Sequence, residues 1–154
     1  MPVVKCAFYS PDRSQFILDN TIKTIDLVKL EVPQCPLILM DGRKSIYFPE
    51  EVNTNATIAF DLKYQTSETN FELLYGAFFV THGRLVPFPQ FLWRQDISRG
   101  GQRAHIRETA QVNVPSQTIW QIGFRVSPNV ADSITSETIM LTFEPWNSLP
   151  GKPA

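Results

Sequence analysis

Residues 37–48 read Leu-Ile-Leu-Met-Asp-Gly-Arg-Lys-Ser-Ile-Tyr-Phe, and they carry the strongest local signal in the chain. Two largely apolar runs, Leu37–Met40 and Ser45–Phe48, flank the dipeptide Asp41-Gly42. This arrangement is typical of a β-hairpin, because glycine adopts a positive φ at little steric cost in the turn. We therefore expect two antiparallel strands joined by a tight turn at residues 41–44.

Strand signals recur on both sides of this hairpin. Residues 56–65 alternate between apolar and polar side chains, which predicts a half-buried strand. Residues 71–81 form a denser apolar run, which is typical of a strand covered on both faces. Residues 21–32 also predict a strand, although Ile25, Leu27 and Lys29 interrupt its alternation. The remaining predicted strands cover residues 3–9, 104–114, 117–127 and 137–144, with Trp120 as a core anchor.

The fold class follows from the number and spacing of these strands. A chain of 154 residues with 43% hydrophobic residues has the size of one domain with a real core. About eight to ten strands without strand–helix alternation favour two packed antiparallel sheets. We predict an all-β, single-domain antiparallel β-sandwich with jelly-roll-like topology over residues 1–144. A Pro-rich C-terminal tail or arm is predicted over residues 145–154.

Charge and cysteine content limit the classes of function. The net charge of −1 and the pI near 6.1 give no overall field that would attract nucleic acid. The two cysteines, Cys6 and Cys35, do not form a disulfide framework, and we expect two buried free thiols, with one bridge as the alternative. The N-terminus lacks the pattern of a signal peptide, and the longest nearly apolar run, Tyr75–Val80, is too short to span a membrane. We therefore expect a protein made in the cytoplasm. The sequon at Asn55 leaves glycosylation open.

No pattern of residues predicts catalysis or metal binding. The two histidines, His82 and His105, have none of the spacing to Cys or to each other that zinc sites use. The carboxylates Glu50 and Glu51 are adjacent, and neighbours on an extended backbone point apart. The sequence therefore predicts no catalytic residue, no metal ligand and no cofactor, and the protein is predicted not to be an enzyme.

Arginine is concentrated in the segment between residues 94 and 107. Five positions are candidates for an anion site or for a contact with another subunit: Arg94, Arg99, Arg103, His105 and Arg107. The last three share one face of a strand by the two-residue period. The alternative is a solvated strand face whose arginines bind no specific partner.

An aromatic and proline-rich segment precedes these arginines. Pro87 and Pro89 exclude a central strand, so we expect an exposed loop that presents Phe88, Phe91 and Trp93. Exposed aromatic side chains of this kind mark an interface. With Trp146 in the tail, they are the four candidate interface residues.

These features favour a structural protein that assembles with copies of itself or with other subunits. By analogy of fold, we predict a viral-type jelly-roll shell, vertex or decoration subunit, which would be found in a virus particle. The alternatives are a lectin-like β-sandwich that binds a glycan, and phosphate or nucleic-acid binding through residues 94–107. The net charge disfavours nucleic acid.

Overall fold

The computed structural model describes residues 5–10, 14–17, 21–30, 35–64, 71–97, 103–127 and 133–145. All the strands in these ranges belong to two antiparallel sheets. These described ranges form twelve strands: β1 (Cys6–Ser10), β2 (Ser14–Ile17), β3 (Lys23–Thr24), β4 (Val28–Lys29), β5 (Ile38–Met40), β6 (Ser45–Phe48), β7 (Val52–Tyr64), β8 (Phe71–Thr81), β9 (Arg84–Ile97), β10 (Arg103–Val114), β11 (Thr118–Ser127) and β12 (Ser133–Pro145).

The long strands pair as one long antiparallel hairpin would if it were wrapped around the two sheets. Sheet A has the order β10-β7-β12-β1-β4, with β2 added to β12, and sheet B has the order β5-β6-β11-β8-β9, with β3 added to β11. The pairs β8·β9, β7·β10, β6·β11 and β1·β12 are nested in sequence and alternate between the two sheets. This nesting is the jelly roll, and it confirms the predicted fold class.

The predicted β5–β6 hairpin is present. Met40 pairs with Ser45, and the turn between them has positive φ at Asp41, Gly42 and Arg43. The backbone N–H of Arg43 donates to the carbonyl of Met40 at 3.1 Å, which closes the turn.

The core lies between the sheets and centres on Trp120. The indole ring is fully buried, as the sequence predicted. It stacks on Phe91 at 5.6 Å between ring centroids and meets the edges of Phe48 at 4.9 Å and Phe88 at 5.0 Å. Aromatic pairs in this geometry contribute beyond their buried area. The cluster therefore ties β9 of sheet B to the centre of the sandwich.

The segment around Pro87 and Pro89, expected to be an exposed loop, belongs to strand β9, which contains an insertion. The pairing of β8 with β9 shifts between Gly76 and Phe78, which leaves residues 88–91 of β9 outside the ladder. Because β9 is an edge strand, Pro87 and Pro89 remove no hydrogen bond between central strands. The insertion turns Phe88 and Phe91 into the core, and Gly76, at φ +137°, makes room for the carbonyl of Phe91.

Residues 21–32 are another correction. The described part of this segment forms only the two-residue strands β3 and β4. The buried residues are Ile25 and Leu27, which the predicted alternation treated as interruptions. Their backbone N–H groups donate to Ile122 and Arg43, so the segment packs beside β11 and the β5–β6 turn instead of running as one strand.

The cysteines are also different from the expectation of free thiols. Cys6 and Cys35 form a disulfide, with their Cα atoms 4.9 Å apart. Their separation of 29 residues in sequence gave no indication that β1 and residue 35 lie side by side. The bridge fastens the start of sheet A to the segment that leads into β5. The predicted tail lies outside the described residues from residue 146 onward.

Candidate functional site

The candidate interface aromatics do not form an exposed loop. Phe88 and Phe91 are only 8% and 0% exposed, so the expectation that they face solvent is wrong. Trp93 is half-buried, lies edge-on to Phe91 at 4.8 Å and stacks on Tyr75 at 6.1 Å. Trp146 lies outside the described residues. Of the four candidates, Trp93 is the one whose described surface can contact a partner.

Trp93 lies on the edge strand β9 of sheet B, next to Tyr75 and close to the edge strand β10 of sheet A. The hydroxyl of Tyr75, on β8, donates to Oε2 of Glu108, on β10, at 3.2 Å. Burial raises the pKa of the Tyr75 phenol far above its usual value, and the charge and hydrogen bond of Glu108 raise it further. The phenol therefore stays neutral. We call Tyr75, Trp93 and Glu108 the edge slot.

The structure separates the candidate arginines. Arg94 lies on sheet B, where its guanidinium contacts the Glu72 carboxylate at 2.6 Å. His105 and Arg107 lie on β10 of sheet A and are both exposed, on either side of the buried Ile106, as the two-residue period predicted. Nδ1 of His105 lies 2.5 Å from Oδ1 of Asp61 on the neighbouring strand.

Two of the candidate arginines are less fully described. Arg103 belongs to β10, opposite Lys63, and Arg99 lies outside the described residues.

The sequence analysis did not single out the outer face of sheet A. This face is unusual because it contains so few charged side chains. Antiparallel sheets normally show polar and charged side chains on the side away from the core. Here two adjacent rows cross five strands with a single charged side chain, Arg107, and with Met140 at 37% exposure in the middle. We call these ten residues the A-face: Arg107, Ala59, Met140, Tyr9 and Val28 in one row, and Thr109, Thr57, Thr142, Ala7 and Leu30 in the next.

Other charged residues on the outer face of this sheet lie on either side of the A-face. Asp61, Lys63 and His105 lie beyond one end, and Glu144 and Lys5 lie beyond the other. The one signal in the sequence was indirect: the outward positions of two predicted strands, residues 56–65 and 137–144, include Ala59 and Met140. The order of the strands, which the sequence did not give, was needed to place them side by side.

Asn55, in the glycosylation sequon, lies on the central strand β7 and is 3% exposed. The folded chain therefore does not present this side chain to a modifying enzyme. Within the described ranges, no group of three or more His, Cys, Asp or Glu side chains is placed to hold a metal ion. No helix in the same ranges is long and apolar enough to cross a membrane.

Comparison with known proteins identifies the fold. No protein-family model matches the sequence, and neither does any curated protein sequence. The structure of Eiger TNF from S. frugiperda superposes with a TM-score of 0.64 at 6% identity, covering 100% of this chain and 99% of that one. Murine APRIL superposes with a TM-score of 0.50 at 8% identity, covering 91% and 98%. The fold is a TNF-like jelly roll.

A viral protein is also among the similar structures. The structure of infectious bursal disease virus Gx strain has a TM-score of 0.37 at 14% identity, and the match covers 95% of this chain and 34% of that chain. A superposition with so low a TM-score does not indicate a shared function. The prediction of a viral shell, vertex or decoration subunit is corrected, because Eiger TNF and murine APRIL each match over nearly the whole of both chains. They support neither the lectin-like nor the phosphate-binding alternative.

One further expectation changes with this comparison. The prediction of a cytoplasmic protein or a virion component is wrong, since the Cys6–Cys35 disulfide and the TNF-like fold both point away from a reducing compartment. The matched proteins are non-enzymatic ligands, in agreement with the prediction that the chain is not an enzyme. The predicted association between copies of this chain remains a proposal.

Proposed function

We propose that this protein is an extracellular, TNF-like ligand domain that forms a homotrimer and acts by binding a receptor. The A-face is the observation that carries the proposal. It is a nearly uncharged surface across five strands, with small side chains that allow a second copy to approach closely. Contiguous surfaces of this kind in soluble proteins mark sites of association.

The disulfide supports the extracellular part of the proposal. Disulfides persist in oxidising compartments, where they stabilise small secreted domains. Cys6 is buried in sheet A and Cys35 packs against the core, so the bridge is part of the folded structure.

Two sets of residues singled out in the sequence have a place in this proposal. Two exposed groups, Arg107 in the A-face and His105 beside it, are proposed as contacts between subunits. The tail over residues 145–154, including Trp146, is proposed as an arm that reaches a neighbouring copy. An arm that becomes ordered only on contact loses its conformational entropy at assembly.

The mass of the native particle tests the proposal. Light scattering behind a sizing column should give three copies of the 17.6 kDa chain, about 53 kDa. Met140→Lys places a charge in the centre of the A-face, so this variant should elute as a folded 17.6 kDa monomer. Far-UV circular dichroism and the melting temperature verify that it has folded.

Ile38→Lys is the matched control. Ile38 is 49% exposed and lies on the outer face of sheet B, so the same substitution there should leave the mass unchanged. A wild-type monomer at all concentrations would contradict the proposal, and so would a Met140→Lys variant with the wild-type mass.

A further inference from the structure

The A-face includes one charge that the described part of the chain does not neutralise. Arg107 is exposed at the edge strand β10 and pairs in register with Ala59, and no described carboxylate contacts its guanidinium. Arg94, by contrast, already contacts Glu72. If a second copy covers the A-face, an unpaired Arg107 would lose its hydration without compensation. The second copy therefore has to supply an acceptor.

A closed ring of three copies requires two different patches on each copy, because its contacts are heterologous. The A-face is the first patch. The outer face of sheet B is one candidate for the second, but its apolar row contains no acid to receive Arg107; the row consists of Ile38, Tyr47, Ile119, Val80 and Leu85. The acids on the outer face of sheet B are at the paired positions Glu72 and Asp96, away from the apolar row, and Glu72 already contacts Arg94.

The edge slot offers a different acid. Glu108 is half-buried, and the hydrogen-bond partner that the structure gives its carboxylate is a neutral phenol, Tyr75. Trp93 stacks on Tyr75 and is half-buried. A carboxylate next to an indole binds an arginine well, since the guanidinium can pair with the acid and stack on the ring.

We propose that Arg107 of one copy inserts into the edge slot of the next copy, where it pairs with Glu108 beside Trp93. This inference rests on the proposed homotrimer and names the contact that closes the ring. The slot is incomplete in a single chain, and the neighbouring copy completes it. The charges of the two patches are complementary, with one cation on the A-face and one acid in the slot.

Exchanging the charges of Arg107 and Glu108 tests whether the two residues pair between copies. Arg107 and Glu108 are neighbours on one strand, so their side chains point to opposite faces of sheet A and cannot pair within a chain. Arg107→Glu and Glu108→Arg should each weaken trimer formation at least tenfold in the concentration at half-dissociation. The double variant should recover most of that loss, because the pair is restored between copies.

Sedimentation of the wild type, both single variants and the double variant over a concentration series measures this. Arg94→Glu is the matched control: it removes an arginine that pairs within its own chain, and it should leave the trimer intact. Glu108→Gln keeps the shape of the slot and should also weaken the trimer, which keeps the test valid if Glu108→Arg does not fold.

The outcomes separate this inference from the proposed function. A wild-type trimer that Met140→Lys dissociates, but that Arg107→Glu and Glu108→Gln leave unchanged, would overturn the slot contact alone. Single variants that dissociate without recovery in a folded double variant would overturn the direct pairing. A monomeric wild type would overturn both proposals.

Discussion

Removing the Cys6–Cys35 bridge should lower the free energy of unfolding by an amount that depends on the number of residues between the two cysteines. A cross-link between residues 29 apart restricts the unfolded chain, and the loop-closure relation gives about 3.6 kcal/mol at 25 °C. The free energy of unfolding of a domain of this kind is about 5–15 kcal/mol in total, so the bridge supplies a large share of it. With a urea dependence of about 2 kcal/mol per molar, the midpoint should fall by about 1.8 M.

The assay is urea unfolding followed by tryptophan fluorescence, with and without a phosphine reductant. The Cys6→Ala, Cys35→Ala double variant should match the reduced wild type to within about 1 kcal/mol, the scale of the small side-chain changes. The reductant should not affect the variant. A reduced wild type whose midpoint is unchanged would refute the reasoning, because the bridge would then not constrain the unfolded chain.

Three further substitutions test the packing. Gly76→Ala should cost about 3 kcal/mol or more in urea unfolding, because the added Cβ would lie 2.2 Å from the carbonyl of Phe91 at a φ of +137°; an unchanged midpoint would contradict the insertion in β9. Phe91→Ala, which truncates a core side chain, should lower the free energy of unfolding by about 3–5 kcal/mol. A loss below about 1 kcal/mol would show that this ring is not buried. Because folding raises the pKa of Tyr75, the stability that its neutral phenol provides is present below pH about 10 and is lost as the pH rises further. The Tyr75→Phe variant should lose less stability than the wild type when melting temperatures are compared between pH 9 and 11; equal losses would contradict the shift.

The parts of the fold that were predictable depend on local chemistry. The β5–β6 hairpin follows from Asp41-Gly42, whose positive φ values are a property of the turn itself. Strands β7, β10, β11 and β12 follow from alternation, which a sandwich imposes wherever one side is buried. Burial of Trp120 follows from its place in an apolar strand.

The parts that failed depend on contacts between distant segments. Pro87 and Pro89 correctly excluded a central strand, but they could not distinguish a loop from an edge strand with four unpaired residues. That choice is made by the Trp120 pocket and by Gly76, neither of which is near the prolines in sequence. The cysteine pair likewise became visible only when the fold placed β1 beside residue 35.

The candidate site shows a more general reason why sequence reasoning chose the wrong surface. It selected large aromatic and charged side chains. In a sandwich with so many aromatic residues, however, most of them are buried in the core, as Phe88 and Phe91 are. The A-face consists instead of small or unremarkable residues, such as Ala59 and Thr57, that lack a charge where a solvated strand would have one. The informative signal is therefore the missing charge on outward positions of several strands. It acquires meaning only when the strand order joins those positions into one surface, with Arg107 at its edge.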